Sequence, residues 1–100
     1  MSLELIVSPS AEADIFDAFS WYEERQAGLG RRFIGELDLA FARIQSEPLS
    51  YQEDLPMIRR CVLHVFPYLV FYTLLDDRIE ILAVIHASQD SSYIADRLDA

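Results

Sequence analysis

Residues 57–86 read MIRRCVLHVFPYLVFYTLLDDRIEILAVIH. Branched and aromatic residues dominate this stretch, and its period is alternating rather than helical. Three strands are expected: Met57 to Phe66, Tyr68 to Leu75 and Arg78 to His86. Phe66-Pro67 and Asp76-Asp77 supply the two turns between them. Alternation in the first strand places Ile58, Arg60, Val62 and His64 on one face, and Arg59, Cys61, Leu63 and Val65 on the other. Cys61, Leu63 and Val65 of the second set suit a core. Ile81 to Ile85 is apolar on both faces, as in a strand covered from both sides. It is therefore expected at the centre of the sheet, with His86 half-buried at the rim on the face of Leu82 and Val84.

Upstream the period is helical. Leu3 to Val7 is a short apolar run that reads as a first strand, broken by Ser8-Pro9-Ser10. Ser10 is expected to cap a helix, with Glu12 and Asp14 in its positive first turn. Ala11, Ile15, Ala18, Phe19 and Tyr22 share one face of it, while Asp17, Glu24 and Gln26 fall elsewhere. Gly28-Leu29-Gly30 ends that helix. A second helix runs from about Arg31 to Glu47 with Phe33, Leu37, Ala40, Phe41 and Ile44 as its stripe, and Pro48 stops it. Leu49 to Pro56 is a polar connection. Ser91 to Leu98 reads as a short terminal helix with Tyr93, Ile94 and Leu98 on its apolar side. The order β-α-α-β-β-β(-α) implies an α+β fold: a largely antiparallel sheet packed against a helical hairpin.

Composition narrows the function. One hundred residues with 52% hydrophobic content suffice for one packed domain, 1–100. The single cysteine, Cys61, supports neither an internal disulfide nor a zinc site and suits a reducing compartment. The start of the chain lacks the basic head and long apolar middle of a signal peptide, and no run reaches membrane-helix length, so a cytoplasmic protein is expected. No metal or cofactor is called for. The net charge is −9, and all eight basic residues are arginine. Such a surface repels nucleic acid, because phosphate binding needs clustered cations. Met57 to Leu75, with Arg59 and Arg60 and no acid, is locally positive.

The order of these features resembles the RelE/ParE superfamily of bacterial toxins from type II toxin–antitoxin pairs, also known as plasmid stabilisation proteins. The resemblance rests on Trp21-Tyr22-Glu23, on Gly28-Leu29-Gly30-Arg31-Arg32-Phe33, and on Arg60. It continues through Phe66-Pro67-Tyr68-Leu69-Val70-Phe71-Tyr72, Ile81-Leu82-Ala83-Val84-Ile85-His86 and Arg97. It spans the chain and lies nearer the ParE side. It implies a small toxin acting inside the cell, held inactive by a cognate antitoxin whose C-terminal segment wraps the helices and sheet. ParE-like members are associated with poisoning DNA gyrase; RelE-like members cleave messenger RNA in the ribosomal A site. The family often carries an arginine three residues after the histidine, where this chain has Gln89.

Candidate residues follow. RNA cleavage needs a group to take the 2′-OH proton, one to protonate the leaving oxygen, and cations for the phosphate. The catalytic candidates are Arg60, His64, His86 and Tyr93. That set is thin, since arginine is always protonated and makes a poor base. Arg60 and His64, two apart on one strand face, form a pair suited to an anion or a partner carboxylate. Arg31 and Arg32 open a helix whose dipole disfavours cations, which suits a partner contact. Trp21 and Tyr22 suit a partner groove, and Arg97 joins the partner set through the resemblance. Three functions stand open: a gyrase-type binding toxin, a ribosome-dependent endonuclease, and a toxin fold that has lost toxicity. Apolar helix surface left uncovered permits a homodimer when the antitoxin is missing.

Overall fold

The computed structural model describes residues 3–89 and 91–99. Asp90, the end of the polar stretch that follows His86, lies outside them. The elements are β1 (Glu4–Val7), α1 (Pro9–Arg25), α2 (Leu29–Ser46), β2 (Glu53–Leu55), β3 (Ile58–Val62), β4 (Tyr68–Leu74), β5 (Arg78–His86) and α3 (Ser91–Asp99). The five strands form one sheet in the order β1-β5-β4-β3-β2. Only the β1–β5 pair is parallel; the rest are antiparallel. The expected α+β architecture is what the chain adopts.

The two faces of the sheet carry separate cores. On one face α1 and α2 cover Cys61, Val70, Tyr72, Ile79, Ile81 and Val84, with Phe33, Leu37, Ala40 and Ile44 of α2 pressed into them. On the other, Ile94 of α3 packs with Leu69, Phe71, Ala83 and Ile85. β4 therefore alternates cleanly, but β5 does not. Phe71 pairs with Ala83 while its neighbour Tyr72 pairs with Ile81, so Leu82 is an extra residue, a bulge. The bulge flips the parity of β5, which is why Ile81 and Val84, three apart, face the same core. The central strand is β4; β5 lies between it and β1. His86 is exposed rather than half-buried.

Local chemistry moves several boundaries. Ser8, not Ser10, caps α1: its Oγ accepts from the Ala11 N–H at 3.1 Å. The strand breaks at Ser8-Pro9-Ser10 as expected, and Pro9 is also the first helical residue, where its missing N–H costs nothing. Asp14 consequently lies in the second turn. α1 stops at Arg25, and Gly28, at φ 89°, caps α2 instead of ending α1. β3 stops at Val62. The apolar residues that follow form a loop pinned by buried Leu63 and Phe66, closed by the Leu63 N–H donating to the Tyr68 carbonyl at 2.9 Å. Val65 is 55% exposed at φ 76°, not in the core, and a branched residue in that region costs about 1–2 kcal/mol. The polar connection contains the unforeseen strand β2, which pairs irregularly with β3. The buried Tyr72 hydroxyl donates to the Pro48 carbonyl and ties this connection down, and burial pushes its phenol up to about 12.

The α1–α2 turn is built around one carboxylate. Glu23 accepts from the N–H groups of Gly28 (2.8 Å) and Gly30 (2.9 Å), two of the orphan donors at the start of α2. These bonds, the Gly28 one foremost, together with the nearby Arg31 charge, outweigh desolvation and hold the Glu23 carboxyl below its ordinary range. Gly30 lets the helices touch: a Cβ there would stand 2.6 Å from the Phe19 carbonyl oxygen.

Two outcomes are expected. Gly30→Ala must force the helices apart and costs about 1–3 kcal/mol, whereas Gly35→Ala, with nothing within 4 Å of the new methyl, gains about 0.5–1 kcal/mol; urea midpoints of the two variants should move in opposite directions. Because the folded Glu23 pKa is depressed, its contribution is complete above the unfolded value of about 4.3 and is lost as pH falls through the lower folded value. Acid titration of stability should therefore be shallower in Glu23→Gln than in the native chain; equal slopes would remove Glu23 from the account.

Candidate functional site

β1 ends opposite Ile81, so the rest of β5 has no strand beside it on that edge. Side chains of α1 take over. Ser8 donates its backbone N–H to the Ile81 carbonyl at 3.0 Å, and the Ser8 and Ser10 hydroxyls reach the carbonyl of the bulged Leu82 at 3.5 Å. Asp14 accepts the Val84 N–H at 2.9 Å. The same carboxylate takes both arms of the Arg97 guanidinium, at 2.8 and 2.7 Å. Asp14 thus joins α1, the open edge of β5 and α3. The pair is mostly out of water, with side chains 16% and 17% exposed, and Asp14, with help from Tyr93, holds the Arg97 pKa above its ordinary value.

Beyond Asp14 the edge opens into a groove of about 490 Å³ between α1 and β5. Its walls include Asp17, Trp21 and Tyr22 of α1, Tyr68 of β4, and His86, Ser88 and Gln89 at the end of β5. The aromatic wall is fixed from behind. Tyr22 stacks on Phe33 at 5.6 Å and meets Phe66 edge-on at 4.9 Å. Trp21 is half exposed, with its edge on Tyr22 and the Arg25 guanidinium 3.7 Å from its ring centre. The His86 tautomer follows from geometry. The Ser88 backbone N–H can only donate, and it points at His86 Nδ1 at 3.0 Å, so the neutral ring carries its proton on Nε2.

The catalytic candidates are scattered. Arg60 pairs across the sheet with Phe71, on the α3 face, and its guanidinium lies 3.5 Å from Asp54. His64 is exposed in the loop after β3, off the strand that was expected to align it with Arg60. His86 pairs with Tyr68 on the helical-hairpin face, rings 5.3 Å apart, so it looks away from Arg60. Tyr93 is 40% exposed on α3. Of the partner candidates, Trp21 and Tyr22 line the groove; Arg31 and Arg32 are exposed at the start of α2. Arg97 is spent on Asp14. No group of three potential metal ligands occurs among the described residues. Sequence reasoning missed Asp14, although one signal was available: it sits on the inward stripe of α1 beside Ala11, Ile15 and Ala18, where an acid needs a reason.

Removing the tie should show as a coupling. Asp14→Ala and Arg97→Ala should each cost about 1.5–3 kcal/mol, the usual worth of a hydrogen bond to a charged group. The double variant should lose much less than the sum when measured by denaturant unfolding. Additive losses would mean the two side chains stabilise the chain separately.

Comparison with known proteins agrees with this architecture. Residues 5–91 match the family model described as ParE toxin of type II toxin-antitoxin system, parDE. The chain is 30% identical over 95 residues to Toxin ParE2 of two Mycobacterium tuberculosis strains, CDC 1551 and H37Rv, covering 94% of this chain and 90% of those proteins. Its fold matches a structure of the chromosomal ParDE TA system from P. aeruginosa with a TM-score of 0.75 at 15% identity, over 84% of this chain and 95% of that one. The chain belongs to the ParE toxin family of type II toxin–antitoxin systems.

Proposed function

We propose that the chain is a growth-inhibiting toxin that acts inside the cell by binding a target of the gyrase type, and that a cognate antitoxin neutralises it. The observation that carries the binding mode is where the cations are. Six of the eight arginines are held by the chain's own groups. Arg25 lies over Trp21, and Arg43 bonds Tyr51. Arg59 pairs with Glu53, Arg60 with Asp54, Arg78 with Asp77 and Glu80, and Arg97 with Asp14. Arg31 and Arg32 make no ion pair or ring contact among the described residues, although the Arg31 charge acts on nearby Glu23.

A nuclease that docks on ribosomal RNA needs several cations in one place, together with a proton acceptor and donor. Here the two histidines and Arg60 do not converge, and the surface is acidic. Association with a protein target needs none of these groups. It is served by exposed aromatic and apolar side chains, which Trp21 and Phe16 on α1 supply at 50% and 67% exposure.

Induced expression should arrest growth, and co-expression of the protein encoded by the adjacent reading frame should restore it. Purified chain should inhibit DNA supercoiling by gyrase, and transcripts mapped after induction should show no new cuts in translated messages. Codon-specific cuts that vanish in Arg60→Ala would establish the nuclease instead. Growth unaffected by expression would leave a toxin fold without toxicity.

A further inference from the structure

The groove beside β5 combines three features that together select an occupant. The first is an open strand edge. Val84 turns its N–H toward Asp14, away from β4, so alternation turns the Val84 carbonyl and the His86 N–H to the same side, where β1 does not reach. The second is the aromatic wall of Trp21, Tyr22 and Tyr68. The third is an acid without a counter-charge. Asp17 lines the groove and makes no ion pair among the described residues, and its neighbours one turn away on α1 are Ala13, Asp14, Ser20 and Trp21, none of them cationic.

The chain already shows how this corner treats a guanidinium. Arg97 is gripped by Asp14 at one end of the groove, and Arg25 sits on the ring of Trp21 at the other. Two chemistries that favour arginine, a bidentate carboxylate and a flat aromatic face, are thus both present and both in use. Asp17 offers the same carboxylate with no arginine of its own. A second copy of the chain is a poor occupant, since each copy carries −9 and would bring acid against acid.

We propose that this groove receives an extended, basic stretch of the antitoxin, its backbone alongside Val84–His86 and one arginine side chain set on Asp17 between the aromatic rings. This rests on the reading of the chain as an antitoxin-held toxin and adds the chemistry of the contact. The edge supplies main-chain pairing and Asp17 supplies selection, so the partner segment that enters here is positively charged.

The test measures binding of the purified protein from the adjacent reading frame to the native chain and to three variants: Asp17→Asn, Asp17→Arg, and Asp38→Arg. Asp38 is an exposed acid on α2 outside the groove, so its variant changes net charge by the same amount as Asp17→Arg. Asp17→Arg should weaken binding by roughly tenfold or more, Asp17→Asn by less, and Asp38→Arg by under about twofold. An Arg→Glu change at one position of the antitoxin should restore affinity to Asp17→Arg alone. Asp17 is exposed, and matching circular dichroism spectra confirm that the variants fold. Equal losses in Asp17→Arg and Asp38→Arg, or none in either, overturn the groove while leaving the toxin–antitoxin reading intact. Failure of the native chain to bind that protein, with no rescue of growth, overturns both.

Discussion

The carboxylate of Asp14 is the point on which the arrangement of the chain depends. A sheet whose first strand has four residues and whose interior strand has nine must leave part of an edge uncovered. An unpaired edge amide is costly when dry and invites foreign strands when wet. Asp14 deals with one such amide, at Val84, and it does so as an anion, which would be expensive to bury alone. Arg97 supplies the missing charge from the opposite face of the sheet. The ion pair is therefore not an isolated surface bridge of small worth. It closes a loop of interactions that runs from α1 over the edge of β5 to α3, and it leaves the stretch just beyond it, around His86, as the open end of the groove.

The second fixed point is the α1–α2 turn, and it gives a physical meaning to the residues that carried the family resemblance. Glu23 satisfies the first amides of α2, Gly28 adopts a positive φ, and Gly30 admits the Phe19 carbonyl. Tyr22 stacks on Phe33 across the same junction. A motif that could be taken for a binding signature is first a device for closing two helices at short range. Trp21 is the exception. Its ring is half exposed and contributes to the groove rather than to the junction. The pattern Trp-Tyr-Glu thus divides within three residues between a surface and a hinge, as successive positions of a helix point about 100° apart.

Much of this fold was legible in the sequence because the periods are clean. The stripe from Phe33 to Ile44 and the alternation of Tyr68 to Leu74 admit one reading each. The misreadings share a cause: local chemistry that periodicity does not register. Ser10 reads as the cap, yet Pro9 fits the first helical position and Ser8 before it takes that role. Leu63 to Phe66 looked like strand because all but His64 are apolar, yet Val65 turns the chain. The bulge at Leu82 is invisible in a run where every residue from Ile81 to Ile85 is apolar. The groove was legible only as aromatic residues on α1; its depth comes from the short β1, and no count of side chains reveals where a neighbouring strand stops.

Charge then connects the fold to its use. The sequence shows eight arginines, which suggests cations to spare, and the structure shows most of them consumed. The pairings with acids cancel charge locally and leave the net charge at −9, so the field outside the chain stays negative. A negative exterior slows encounters with nucleic acid and speeds those with basic protein segments. The two arginines left over, Arg31 and Arg32, lie together at the α1–α2 turn, on the first turn of α2 where the helix dipole works against them. Glu23 beneath that turn lessens the conflict, and the Arg31 charge helps to hold Glu23 ionised. The same carboxylate that closes the hairpin thus lets it carry a positive tip.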